Sequence, residues 1–315
     1  MCSSDLVSAA AWADPALRAP VLRMVRSGLL TAVQLDLKDE SGVVGYNSKV
    51  PLARRIGAVR PEYDLRKAVR QLHGMGVRVI GRVVCFRDPI LSAWAWQHGR
   101  RDEVVQTPGG GEFNPAVGFT NFANPAVDAY NIAIAREAAK AGVDDILYDY
   151  VRRPDGPIDS MRFPGIRGTP QDGVVRFVAR TAKALERTGA ELGASVFGVA
   201  ASRPDEVAQN IQRMAPYLDY VAPLVYPSHW GPGEYGVPDP NAEPGLIVQR
   251  SLKDFRAQTA GTGARVVPWL QDFDLGVHYG TPQVQAQINA ARSLGIDEWI
   301  LWNANVTYTT KGLRP

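Results

Sequence analysis

The sequence predicts one α/β domain spanning residues 1–315, a single (β/α)₈ TIM barrel with long insertions in its strand-to-helix loops. Three observations carry that prediction. Short apolar, often β-branched runs alternate with amphipathic helical stretches, eight such strands can be counted, and 315 residues somewhat exceed the ~250 typical of this fold. A doubly wound open sheet also alternates strand and helix and is the competing architecture. It is disfavoured because no Gly-rich phosphate fingerprint follows any strand, and Gly74-Met75-Gly76 precedes one instead.

The first strand, Leu6 to Ala10, is the weakest. Asp14-Pro15 then supply a cap and a first turn, since aspartate accepts orphan N–H groups and proline has none to lose; this helix runs to Arg26 and closes at Gly28. The second strand, Ala32 to Leu37, ends in Lys38-Asp39-Glu40. Pro61 and Glu62 open a helix carrying Leu65, Val69 and Leu72, which stops at Gly74 and Gly76 before the β-branched third strand, Val77 to Val84. From Phe86 to Asn124 the chain is rich in Trp, Gly, Pro and Asn without sustained periodicity, which marks a functional loop or lid. Asn124-Pro125 opens a helix to Ala141, and Gly142 separates it from the fourth strand, Ile146 to Val151.

The second half repeats the scheme. Helix Gln171 to Thr188 precedes strand Leu192 to Phe197, and helix Pro204 to Ala215 precedes strand Tyr220 to Val225. After a Gly/Pro-rich loop from Trp230 to Pro244 come helix Leu246 to Thr259, strand Arg265 to Leu270, helix Pro282 to Leu294 and strand Glu298 to Trp302.

Composition narrows the function. With 45% hydrophobic and 21% charged residues the chain has material for a large core and a solvated surface. The net charge of +3 is small and its basic residues are dispersed, so nucleic acid is not an expected partner. Two cysteines imply no disulfide framework; Cys85 ends an apolar run, as a buried thiol does, and Cys2 reads as a chance residue rather than a trimmed lipoprotein start. No apolar run reaches the ~18 residues of a transmembrane span, and the first residues lack the pattern of a secretion signal.

In a barrel the active site lies at the C-terminal strand ends. Those ends present Asp36, Lys38, Asp39 and Glu40; Arg82 with Arg87 and Asp88; Asp149 and Arg152; Ser195; Tyr226 and His229; Gln271, Asp272 and Asp274; and Trp302 with Asn303. Period-two alternation points Asp36 and Lys38 to the interior, because the apolar alternates Val33, Leu35 and Leu37 must face helices. It leaves the seventh strand open: either Trp269 and Gln271 face in, or Leu270 and Asp272 do. Each acid also has an inert reading, Asp36 as a buried ion pair with Lys38 or Arg82, Asp149 as a pair with Arg152, and Asp272 as a helix-capping loop residue.

No His, Cys and carboxylate cluster has metal-ligand spacing and no HExxH occurs, so neither metal nor other cofactor is expected; a Gly-x-Ser-x-Gly elbow is also absent. What remains is carboxylate chemistry. Acids on separate strands with arginines to hold them ionised suit glycosidic cleavage, in which one acid protonates the leaving oxygen while the other attacks or activates water. Trp94, Trp96, Trp230, Trp269 and Trp302, in or near the strand-end loops, supply faces that stack on sugar rings.

Five segments carry a resemblance: Val33–Gly42, Asp145–Pro154 (DILYDYVRRP), Val221–His229 (VAPLVYPSH), Val267–Phe273 (VPWLQDF) and Trp299–Asn303 (WILWN). Together, and in this order, they resemble the bacterial family described as "Putative glycosyl hydrolase domain". The resemblance implies a TIM barrel related to the α-amylase and α-galactosidase group, extracytoplasmic by secretion or lipid anchoring. It gives Asp149 the nucleophile's place at the end of strand four. Two departures stand out: Arg153 replaces an aromatic of the family's fourth-strand motif, and Ser195 and Tyr226 stand where the wider group keeps its acid/base carboxylate.

The acid/base is therefore expected at Asp272, with Asp39 and Asp36 behind it. Arg82 and Arg152 are expected to hold Asp149 ionised, while Asp36, Lys38, Asp39, Tyr226, His229, Trp269, Gln271, Trp302 and Asn303 bind a carbohydrate substrate, a polysaccharide or cell-envelope glycan. One alternative is a non-catalytic polysaccharide-binding barrel. Another, a Schiff-base lyase using Lys38, is disfavoured by the adjacent Asp36, Asp39 and Glu40.

Overall fold

The computed structural model describes residues 2–305 and 307–309, with side chains from Leu6 onward. It is a mixed α/β fold around one large, mostly parallel sheet. The strands are β1 (Cys2–Val7), β2 (Ala32–Lys38), β3 (Val44–Tyr46), β4 (Val59–Tyr63), β5 (Arg78–Val84), β6 (Asp145–Asp149), β7 (Glu191–Phe197), β8 (Tyr220–Leu224), β9 (Arg265–Val266), β10 (Trp269–Gln271) and β11 (Glu298–Trp302). Strands β2, β5, β6, β7, β8, β10 and β11 follow one another in parallel, and β1 pairs in parallel with both β2 and β11. The helices are α1 (Ala9–Ala13), α2 (Pro15–Arg26), α3 (Pro51–Arg55), α4 (Leu65–His73), α5 (Pro89–Gln97), α6 (Pro125–Lys140), α7 (Pro170–Leu185), α8 (Pro204–Val207), α9 (Ile211–Met214), α10 (Pro244–Thr259) and α11 (Thr281–Arg292).

Strand alternation divides the apolar residues between two cores. Leu35, Leu37, Val83, Tyr148 and Leu270 belong to the large core that also contains Leu72, Ile134, Phe177 and Leu252 from helices. Their alternates Ala32, Ile80, Leu147, Trp269 and Ile300 form a second cluster to which none of the described helices contributes. Gly81 lets β5 pack closely on the helix side, since a Cβ there would stand 2.5 Å from Leu37 Cδ1.

Several expected elements shift for local reasons. The first strand covers Cys2–Val7 rather than Leu6 to Ala10, because the Ser8 hydroxyl caps α1 by accepting the Ala11 N–H. Pro61 lies in β4, and α4 starts only after Asp64, whose side chain accepts from Lys67 N. The stretch from Phe86 to Asn124 contains α5, capped by Asp88 and opened by Pro89. The helix expected from Pro204 to Ala215 is two single turns parted by Ala208 at φ +59°. The seventh strand breaks at Val267-Pro268, where proline cannot donate to the ladder. Cys85 is a buried free thiol; the Cys2 side chain lies outside the described residues. No described helix is long and apolar enough to cross a membrane.

Candidate active site

The C-terminal ends of the parallel strands surround a cavity of about 350 Å³, within the size range of small-ligand sites. Arg82, from β5, organises its charged wall. Its Nε and Nη2 donate to Asp149 Oδ2 at 2.8 and 2.7 Å, Nη1 donates to Asp36 Oδ1 at 2.9 Å, and Nη2 also holds Glu40 Oε1. One cation thus joins three acids, two of them almost buried: the side chains of Asp36, Asp149 and Glu40 are 6%, 11% and 34% exposed.

Asp149 ends β6, and the next residue, Tyr150, adopts φ +48°, a left-handed conformation that costs a non-glycine residue energy. That turn brings the Tyr150 N–H back onto Asp149 Oδ1 at 2.7 Å, so both carboxylate oxygens are engaged. Burial pushes the Asp36 carboxyl up to about 6, against the pull of Arg82. Burial also acts upward on Glu40, but the charge and hydrogen bond of Arg82 outweigh it and hold Glu40 below its ordinary range.

Apolar walls complete the cavity: Tyr150, Phe197, Tyr226, Trp230, Trp269 and Trp302, with His229 beside Tyr226. Trp269 and Trp302 meet edge to face, and Trp269 Nε1 donates to Ser195 Oγ at 3.1 Å. Trp230 fits because residue 198 is glycine, where a Cβ would lie 2.7 Å from the indole and 2.8 Å from the Leu224 carbonyl. Burial lowers the His229 pKa and so favours the neutral ring. Gln271 acts one step removed: its Oε1 accepts from Ser228 N and Oγ, and Ser228 Oγ contacts His229 Nδ1 at 3.1 Å.

The structure therefore brings Asp149, Arg82, Arg152, Tyr226, His229, Trp269 and Trp302 to one cavity, with Asp36 directly behind Arg82. Other expected residues lie elsewhere. Lys38 is fully buried, 2.7 Å from Asp88 and over the Tyr130 ring, and touches neither Asp36 nor the cavity. The cause is a register shift: Asp36 pairs with Arg82 but Lys38 with Val83, so the bulge turns Lys38 to the helix side. Asp39 is spent on its own turn, accepting Ser41 N and Val43 N at 2.9 Å each. Arg152 does not bind Asp149; its fork holds Asp155 at 2.9 and 3.1 Å and its guanidinium lies 4.3 Å from the Phe197 ring centre.

Asp272 is likewise absent from the cavity wall. It is in phase with helix-facing Leu270, and its oxygens accept Thr309 N and Oγ1, both at 2.7 Å. Burial raises its pKa, with the Thr309 bonds acting in the opposite direction. Asn303 donates to the Asp272 carbonyl and accepts from Asn305 N, and Gln271 is wholly buried. Glu40 is the site carboxylate to which the sequence alone assigns no role. Only its place just past the Asp36 strand signalled it. Among the described residues, no group of three or more His, Cys, Asp or Glu side chains is disposed to hold a metal ion.

A family model described as "Putative glycosyl hydrolase domain" matches residues 6–308. No curated protein matches the sequence. Among solved structures, a hypothetical protein from Ruminiclostridium thermocellum is similar at 28% identity and TM-score 0.54, over 60% of this chain and 95% of that one. The PgaB (BpsB) glycoside hydrolase domain from Bordetella bronchiseptica aligns over 97% of this chain and 94% of its own, with 14% identity and TM-score 0.67. The catalytic domain of beta-amylase from Paenibacillus polymyxa does so over 98% and 94%, with 10% identity and TM-score 0.59. At these identities the last two show a shared fold.

Proposed function

The chain belongs to that glycosyl hydrolase family, and from this premise we propose that it cleaves a glycan at the aromatic-lined cavity, with Asp149 as nucleophile or charge stabiliser. The observation that carries the reading is the setting of Asp149, whose two oxygens are fixed by Arg82 and the Tyr150 N–H at the edge of a cavity walled by aromatic rings. The parallel strands are read as a closed (β/α)₈ barrel, supported by the pairing of β1 with both β2 and β11 and by the helix-free second core.

Glu40 takes the acid/base place expected of Asp272. Its oxygen and that of Asp149 share Arg82 Nη2, and two acceptors on one nitrogen stand within about 6 Å of each other. Such closeness favours the retaining arrangement, whose carboxyl groups lie ~5–5.5 Å apart, over the wider inverting one. A sugar that draws Glu40 off Arg82 removes the influences holding its pKa down, which prepares it to donate a proton. An extracytoplasmic location is part of the proposal and follows from the family resemblance alone.

The test is Asp149→Asn against bacterial envelope polysaccharides with product analysis. Hydrolysis should fall by at least ~10³-fold with the fold intact; turnover near the wild-type rate would refute the role. A non-catalytic glycan-binding barrel is the second reading, favoured by the absence of an acid at Ser195 and Tyr226. It predicts binding without turnover in both proteins.

A further inference from the structure

We infer that Gln271, acting through Ser228, fixes His229 as the tautomer protonated at Nδ1, which leaves Nε2 as an acceptor for a sugar hydroxyl in the cavity. The inference rests on the proposed glycan site and assigns to His229 the recognition of one hydroxyl proton there. The chain of bonds starts from backbone groups, whose roles are unambiguous. Ser228 N–H can only donate, and it meets Gln271 Oε1 at 3.1 Å; the Phe273 carbonyl can only accept, and it meets Gln271 Nε2 at 2.9 Å. A flipped Gln271 amide would oppose donor to donor and acceptor to acceptor, so its oxygen is the atom beside Ser228. The residue is also well anchored. Gln271 is wholly buried, and Gln287 of α11 bonds both its backbone N–H and its carbonyl, at 2.9 and 2.8 Å.

From that oxygen the position of the ring proton follows. Ser228 Oγ lies 2.9 Å from Gln271 Oε1, a carbonyl oxygen that can only accept, so the one hydroxyl proton of Ser228 points to Gln271. Toward His229 Nδ1, at 3.1 Å, the same Oγ has only lone pairs to offer, and the proton of that contact must come from the ring. The opposite tautomer would turn the serine proton to Nδ1 and leave two acceptor oxygens 2.9 Å apart with nothing between them. The ring lines the cavity and remains exposed there, although Tyr226 and Phe273 pack edge-on against it at centroid distances of 5.3 and 6.3 Å. This partial cover disfavours the charged form, so His229 carries a single N–H and Nε2 keeps its lone pair. Among the described residues, no hydrogen bond reaches Nε2. An acceptor held in this way takes a hydroxyl, whose proton it needs, and gains nothing from one that is etherified or esterified. Ser228 and Gln271 are positioning residues, since they act only through the ring.

The experiment reads the ring nitrogens directly, by long-range proton–nitrogen correlation NMR of the intact labelled protein at about pH 7.5, with the His229 signals identified by their loss in His229→Phe. Wild type should show the proton on Nδ1. Ser228→Ala should lose that bias and move toward the Nε2–H form that unrestrained imidazole favours, and Ser228→Thr, which keeps the hydroxyl, should restore it. A proton on Nε2 in wild type overturns the inference, and so does an Nδ1–H ring that survives in Ser228→Ala. Glucose or galactose, at about 100 mM to fill a site of millimolar affinity, should then shift the Nε2 resonance. At least one monodeoxyfluoro derivative of that sugar, in which a single hydroxyl proton is missing, should fail to do so. His229→Phe should bind the responsive sugar about 2–10-fold more weakly. No Nε2 shift with either sugar, the same shift with every fluorinated derivative, or unchanged affinity in His229→Phe overturns the role of His229 in recognition. Every reading is made without turnover, so the inference stands or fails separately from the hydrolysis result for Asp149→Asn.

Discussion

Replacing Arg82 with methionine tests the charge cluster most directly. The guanidinium is 5% exposed and is the shared partner of Asp36, Glu40 and Asp149. Its loss leaves carboxylates in a buried site without a counter-charge, which costs about 3–5 kcal/mol when a buried pair is broken from one side. At ~2.1 cal/mol/K per residue, the unfolding entropy of 315 residues is about 660 cal/mol/K, so Tm should fall by about 5–8 °C at pH 7.5.

The loss should also depend on pH. Asp36 already has a raised folded pKa of about 6, so its favourable contribution is complete below about 4 and is lost as pH rises through 6. Glu40 has a lowered folded pKa, so its contribution is present at neutral pH and lost in acid. Removing Arg82 raises the first pKa further and abolishes the second contribution. Both changes penalise the variant most at high pH. Calorimetry at pH 7.5 and pH 5 should show the gap from wild type narrowing in acid, and Asp36→Asn in the Arg82→Met background should recover part of the loss. An equal Tm drop at both pH values, or none, would refute the assignment of Arg82 as the common counter-charge.

Three further substitutions separate structure from chemistry. Lys38→Met strands the fully buried Asp88 and should cost about 3–5 kcal/mol by chemical denaturation while leaving glycan turnover largely unchanged, since Lys38 does not line the cavity. Gly198→Ala forces a methyl against Trp230 and the Leu224 carbonyl, so a loss of about 1–3 kcal/mol with weakened sugar binding is expected by titration. Asp272→Asn should retain most glycan turnover and lose about 1–2 kcal/mol of stability, because among the described residues its carboxylate bonds Thr309 alone; loss of turnover would return Asp272 to the catalytic set.

Strand periodicity and helix caps were legible where the local signal was strong. Asn124-Pro125 opens α6 and Asp14-Pro15 opens α2 as expected, since capping needs only neighbouring residues. The ends of strands are less legible. Lys38 follows Asp36 at the spacing that should place both side chains on one face, but a one-residue shift against β5 reverses the second of them. Trp269 and Leu270 were equally plausible inward residues until packing chose Trp269, and with that choice Asp272 fell on the helix side.

The sequence by itself determined that this chain alternates strands and helices, that it belongs with glycosyl hydrolases, and that Asp149 stands at a strand end beside a cluster of aromatics and arginines. These follow from local periodicity and contiguous motifs. Tertiary structure alone decided which acids share Arg82, because Asp36, Glu40 and Asp149 come from two separate strands and a loop, and only the pairing of β2, β5 and β6 sets them around one guanidinium. The β2–β5 register left Lys38 with Asp88, and the inward packing of Trp269 left Asp272 with Thr309, since a buried charge must bond what packing places beside it.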